Sequence, residues 1–247
     1  MKKADKKTLL VDKVTEVFSR LPRGRVLDLA CGDGEASERL NDLGFQVTAS
    51  DLDIERFKHH KRIPFQPCNL DNPLPFEGES FDHILFLETL EHLRNPFAVI
   101  REIQRVLKKK GTLVLSTPNI LNLGSRLRFL FEGGFDFFRE PTLDHIRLNE
   151  NNLPNMHLIP WRYQELEYLL YENGIDVESV YTDHEPAKVK ALSLLLGPLL
   201  RFQCSLRRKR AFRKGGVSYA RIDQILFSPE LMRGRHLIIQ GRKNGRA

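Results

Sequence analysis

The run Val26-Leu27-Asp28-Leu29-Ala30-Cys31-Gly32-Asp33-Gly34 constrains this chain more than any other segment. Arg25 to Ala30 is a short apolar stretch with one acid set in it, the pattern of a buried parallel strand. Gly32 and Gly34 then allow positive φ and let the backbone approach a ligand with no Cβ in between. Glu35 to Leu43 is rich in good helix formers and stops at Gly44, so a helix N-terminus sits directly behind the turn. Strand, glycine turn and helix together predict an open α/β sheet with a nucleotide-like ligand at its carboxyl edge.

Two ligand classes use such a turn. A dinucleotide fingerprint needs G-x-G-x-x-G, but Ser37 stands three residues after Gly34, and Asp28 lies inside the strand where only apolar residues are wanted. An acid there suits a ligand with a cationic amino group. Phe45 to Ser50 reads as a second strand ending in Asp51, at a spacing where a carboxylate accepts both ribose hydroxyls. Asp53 is the better cap for a helix starting near Ile54. Asn69-Leu70-Asp71-Asn72-Pro73-Leu74-Pro75-Phe76 then forms a stiff loop before a strand from Ser80 to Leu87. Pro96 to Leu107 has helical apolar spacing, with Lys108-Lys109-Lys110-Gly111 placed to close that helix, and Thr112 to Thr117 is a further strand.

Asp28 to Gly34 fits D-x-[GA]-x-G-x-G, Asn69 to Phe76 is close to D-L-x-x-P-L-P-F, and Ser80 to Ile84 fits S-F-D-x-[IV]. In this order they make the stretch from about residue 24 to 119 similar to class I S-adenosylmethionine-dependent methyltransferases of types 11 and 23. The resemblance implies a Rossmann-like sheet of seven mostly parallel strands, helices on both faces and an antiparallel last strand. It implies S-adenosyl-L-methionine as cofactor, held by Asp28, Ala30, Gly32, Gly34, Asp51, Leu52, Asn69, Leu70 and Leu87. Where the family has Asp in the adenine loop this chain has Asn69, whose amide oxygen still accepts a hydrogen bond, with Asp71 as its rival.

A hydroxyl acceptor must lose a proton, which calls for a general base, and histidine is the usual one. His92, directly after the Ser80–Leu87 strand, is the first candidate, followed by His157 and His145; each competes with a purely structural role. Glu88, Glu91 and His92 are similar to the E-x-x-E-H run of quinone-ring O-methyltransferases, where such residues are implicated in divalent metal use. A fourth oxygen ligand is not evident, and capping of the next helix accounts for the acids, so no metal is expected. The catalytic set is then His92, Glu88 and His157. The leading expectation is O-methyl transfer to a glycan, lipid-linked or quinone-type acceptor. The alternative is a catalytically silent S-adenosylmethionine-binding scaffold at a membrane surface, against which the intact Asp28, Gly32, Gly34 and Asp51 count.

The 247 residues suit one methyltransferase domain with an N-terminal helix (1–23), a cofactor-binding core (24–119) and two substrate-side insertions (120–160 and 184–234). Apolar spacing predicts helices over Thr8–Leu21, Asn122–Phe131 and Trp161–Asn173, and strands over Ile175–Thr182 and Arg235–Arg242. Cys31, Cys68 and Cys204 form no C-x-x-C pair, and Met1 to Lys7 leads into no apolar run, so a cytoplasmic protein is expected. Charge is uneven. Residues 186–216 hold nine Lys and Arg and no acid, against a net charge of +7 for the chain. Beside them Ala191 to Leu200 is apolar but short of a bilayer span, and Gly197-Pro198 is expected to kink or split any helix there. The region reads either as an interfacial element on the inner face of an anionic membrane or as a core helix followed by a basic loop. With only Phe202 and Phe212 as aromatics and no matching motif, nucleic acid is a poor third.

Overall fold

The computed structural model describes residues 6–138, 156–215 and 220–245. Among them six strands form one sheet: β1 (Arg25–Leu29), β2 (Gln46–Ser50), β3 (Phe81–Phe86), β4 (Leu107–Pro118), β5 (Ile175–Tyr181) and β6 (His236–Lys243). Their order is β2-β1-β3-β4-β6-β5. The first four are parallel, and β6 inserts antiparallel between β4 and β5. The helices are α1 (Lys6–Ser19), α2 (Glu35–Asp42), α3 (Pro96–Val106), α4 (Leu123–Glu132), α5 (Tyr163–Glu172), α6 (Ala187–Gly215), α7 (Ala220–Leu226) and α8 (Pro229–Arg233).

Side chains alternate across the central strands, as the pleat requires. Leu27, Leu29, Ile84, Phe86, Leu113, Leu115, Leu237 and Ile239 pack on one face, against Ile100, Ile103 and Val106 of α3 and Leu166, Leu169 and Leu170 of α5. Val26, Leu85, Val114 and Ile238 pack on the other, against Leu10, Val14 and Phe18 of α1 and Ala36 and Leu40 of α2. Both faces are covered, which is why these strands read as nearly continuous apolar runs.

Three expectations need correction. Among the described residues the sheet has six strands, not seven. The segment before Asn69 makes a single parallel bridge, Ala49 to Phe65; Gln66 and Cys68 donate to Ala49 O and Asp51 O, but Pro64 has no N–H to extend the ladder toward the start of β2. Of the two outcomes expected at Gly197-Pro198, a split does not occur: helix α6 runs through Pro198 for 29 residues. Gly197 lacks the Cβ that would meet the proline ring, so the usual exclusion of helix before proline is weakened. Lys108 to Lys110 do not close α3 either, since β4 begins at Leu107. The closing cation is Lys243, whose buried Nζ donates to the carbonyls of Gln104 and Leu107, both at 2.8 Å.

Candidate functional site

A cavity of about 870 Å³ opens at the carboxyl ends of β1, β2 and β3, within the size range of small-molecule sites. Asp28, Ala30, Gly32, Asp51, Leu52, Asn69, Leu70, Leu87, Glu88 and His92 all line it. Asp28 pairs in register with Ala49 of β2 and Leu85 of β3, and accepts a 2.5 Å hydrogen bond from Ser37 Oγ on α2. Ser37, the residue that breaks the dinucleotide pattern, thus orients the acid. Asp51 accepts from the backbone N–H of Gly32 at 2.8 Å and of Asp53 at 3.3 Å, while Asp53 caps the 3₁₀ turn Ile54–Arg56. Asn69 Oδ1 accepts from Asp71 N–H, so both loop candidates sit together at the rim.

The two glycines do different work. Gly32 has φ +58° and nothing within 4 Å of where a Cβ would stand, an open cradle beside the two carboxylates. Gly34 is not among the lining residues. Its φ is +85°, and a Cβ there would lie 2.4 Å from the Phe57 ring, so it serves the turn and its packing. Open cradle, paired acids and volume together fit S-adenosylmethionine. Burial, with Asp28 and Asp51 nearby, pushes the Cys31 thiol up, so it stays neutral.

Beyond the cavity the E-x-x-E-H run divides. Glu88 has φ +44°, and its N–H donates to both Ser116 O and Ser116 Oγ. Its Oε1 accepts from Ser116 Oγ at 2.7 Å, and its Oε2 lies 3.5 Å from His236 Nε2. Both oxygens of the buried Asp183 engage His236: one lies 2.7 Å from Nδ1, the other accepts its backbone N–H. Burial opposes charge on His236, but Glu88 and then Asp183 outweigh it and raise its pKa. Glu91 instead turns inward. Its Oε2 accepts from Thr117 Oγ1, its Oε1 is buried with no hydrogen-bond partner among the described residues, and burial, with Glu88, pushes its carboxyl up to about 9. Neither acid caps α3; Asn95 does.

His157 does not line the cavity, but its ring lies 4.6 Å from that of His92. The backbone N–H groups of Leu158 and Ile159 donate to Glu91 O, which pins this segment beside His92. His92 Nδ1 lies 2.9 Å from Met156 O, and His157 Nδ1 lies 2.7 Å from Phe137 O. A carbonyl can only accept, so each Nδ1 carries a proton, which leaves the lone pair of a neutral His92 on Nε2. Burial lowers the His92 pKa and keeps the imidazole neutral; the Met156 carbonyl opposes this and His157 adds to it. Ligand atoms of Glu91, His92 and His157 lie within 4.8 Å of one another, so this trio, rather than Glu88, Glu91 and His92, is the described group that could hold a divalent ion. His145 falls outside the described residues.

Sequence reasoning missed His236, Asp183, Ser116 and Phe137. Ser116, Asp183 and His236 carried one signal, a polar residue at a strand end on the carboxyl edge, but only the β4–β6 and β5–β6 registers bring them beside Glu88; Phe137, in the turn after α4, carried none.

The family described as a methyltransferase domain, type 23, matches residues 3–178. A ubiquinone biosynthesis O-methyltransferase of Xanthomonas campestris pv. campestris is 38% identical over 107 residues, 40% of this chain and 45% of that protein. One of Xanthomonas axonopodis pv. citri is 38% identical over 113 residues, 42% of this chain and 47% of the other. The match thus spans less than half the length of these relatives. Among solved structures, an S-adenosylmethionine-dependent methyltransferase of Archaeoglobus fulgidus superposes with a TM-score of 0.57 at 16% identity, covering 97% of this chain and all of that one. The [4+2]-cyclase SpnF superposes with a TM-score of 0.54 at 20% identity, covering 94% of this chain and 81% of the other. Both likenesses concern the fold, and the second shows that this fold carries more than one chemistry.

Proposed function

The chain belongs to the methyltransferase domain family, and from that premise we propose that it transfers a methyl group from S-adenosylmethionine to a hydroxyl oxygen of a quinone-type aromatic acceptor. The observation that carries the reading is the placing of His92 on the wall of the cavity that Asp28, Gly32 and Asp51 shape. When bound, S-adenosylmethionine supplies a methyl carbon made electrophilic by its sulfonium. Asp28 would hold its cationic amino group and Asp51 its ribose hydroxyls, and the open space at Gly32 would let the backbone close on it. His92 takes the acceptor's proton at Nε2 as the O–H bond breaks, its ring held by Met156 O. Glu88, fixed by Ser116 and His236, orients the hydroxyl. The Phe137 ring lies outside the cavity lining, 6.5 Å from His157 and 5.7 Å from His236 with the Arg235 guanidinium 4.3 Å over it, so an aromatic acceptor would meet it only by extending past His92. The names of the Xanthomonas relatives support the same acceptor class. A divalent ion held by Glu91, His92 and His157 would polarise the acceptor oxygen instead.

Labelled S-adenosylmethionine, with a panel of catechols, phenols and quinol precursors, tests the reading. Transfer to a ring hydroxyl is expected. His92→Ala should lower turnover about 10²–10⁴-fold with cofactor affinity nearly intact. A loss below roughly threefold removes His92 as the base. Loss of activity with a chelator, restored by a divalent ion, would make His92 a metal ligand. No transfer to any panel member would overturn the acceptor class.

A further inference from the structure

Helix α6 has two unlike faces. Val189, Leu192, Leu196, Leu200 and Cys204 recur at helical spacing and pack on Leu123, Phe227 and Met232. Arg201 Nη2 donates to Phe227 O at 2.6 Å, and Arg233 Nε donates to Ser193 Oγ at 2.8 Å, so this side is pinned to α8 and its neighbours. Roughly 110° round the helix runs a second apolar stripe, Leu195, Leu199, Phe202 and Leu206, at i, i+4, i+7 and i+11. None of the described residues covers it: these side chains are 75%, 57%, 62% and 46% exposed. Four large apolar side chains aligned in water on one helix mark an interaction surface. On the neighbouring α4, Phe129, Leu130 and Phe131 are exposed as well.

Charge names the partner. The last turns of the same helix read Arg207-Arg208-Lys209-Arg210-Ala211-Phe212-Arg213-Lys214, and residues 186–216 contain no acid. An exposed leucine stripe running into a basic helix end has the composition of an element that lies in a lipid interface, apolar side toward the acyl chains and cations among anionic headgroups. Ala187–Leu206 is also long and apolar enough to cross a bilayer. Crossing would uncover Leu123, Phe227 and Met232 and drag Arg201 into hydrocarbon, so the packed face holds the helix at the surface. We propose that α6 docks this protein on an anionic phospholipid membrane, lying in the plane of the interface on its Leu195/Leu199/Phe202/Leu206 stripe. Helices α4 and α6 follow the carboxyl ends of β4 and β5, the edge at which the cavity opens, so docking brings the site to the lipid surface.

Co-sedimentation of the full chain with vesicles tests this without any methyl transfer, so its failure and that of the catalytic reading are separately visible. The protein should pellet with phosphatidylcholine–phosphatidylglycerol vesicles at about 0.1 M salt. Binding should fall at least about tenfold at about 1 M salt, where the Debye length shrinks to about 3 Å, and with phosphatidylcholine alone. Joint Arg207→Ser, Lys209→Ser, Arg210→Ser and Arg213→Ser, which spares the Arg208–Asp223 ion pair, should cost at least about tenfold, since each cation near such a surface strengthens binding about fivefold. Leu195→Ser, Leu199→Ser and Phe202→Ser should lose binding similarly while keeping the parent melting curve and S-adenosylhomocysteine affinity. Protein that stays in the supernatant with anionic vesicles at low salt overturns the proposal. So does attachment that survives high salt and alkaline carbonate, which means a spanning helix, or a stripe variant that turns a dimer into a monomer with vesicle binding unchanged.

Discussion

His236 sits between two carboxylates, with Asp183 at 2.7 Å and Glu88 at 3.5 Å, and with Arg235 as the neighbouring cation. Its raised pKa means that the folded protein holds a proton the unfolded chain releases near pH 6.5. The stability this confers is complete below that pH and is lost as pH rises through the raised value. Urea unfolding across the neutral to mildly alkaline range should show this fall, and His236→Gln should flatten it. Glu91 contributes with the same sign, since its folded pKa is also raised, and Glu91→Gln separates the two. At pH 6 His236→Gln should cost about 3–5 kcal/mol, because Asp183 is left buried without its partner. A variant with the parent's pH profile would place the proton elsewhere. No local pattern announces this group. His236 and Asp183 are 53 residues apart and look like ordinary strand-end polar residues until β5 and β6 pair.

The elements show where local signals suffice and where they fail. Strand β1, its turn and α2 form as their residues dictate, with Gly32 and Gly34 both at positive φ. Asn95, Asn122 and Ser228 cap α3, α4 and α8 in the manner such residues favour. The end of α3 is different. The run Lys108-Lys109-Lys110 carries the local signature of a helix C-terminus, yet the chain turns straight into β4 because Phe81 pairs with Leu107. The cation that serves the helix comes from Lys243, more than a hundred residues away. Lys243→Met should therefore strand two buried carbonyls and cost about 1–3 kcal/mol in chemical denaturation. An unchanged midpoint would mean that other donors or water satisfy Gln104 and Leu107.

At the scale of the whole molecule, ligand binding and folding are one equilibrium. S-adenosylhomocysteine at about 100 times its Kd should add about 2.7 kcal/mol and raise Tm by roughly 5–10 °C for a chain of this size. Asp51→Ala should cut that affinity by roughly 2–4 kcal/mol through the hydrogen bonds lost to a charged group. Gly32→Val should abolish the shift, because its side chain strains a φ of +58° and fills the open cradle. If both variants shifted like the parent, the ligand would lie outside this cavity. The sequence by itself determined the strand–turn–helix unit, the two acids at neighbouring strand ends and the α/β class, since each rests on contacts a few residues apart or on the side-chain period of a strand. Only the tertiary structure decided that Glu88 belongs with His236 and Asp183, that Glu91 and His92 belong with His157, and that the described residues leave one apolar face of α6 uncovered. Those pairings join residues far apart in the chain, and strand register and helix packing, which no local pattern encodes, set the distances between them.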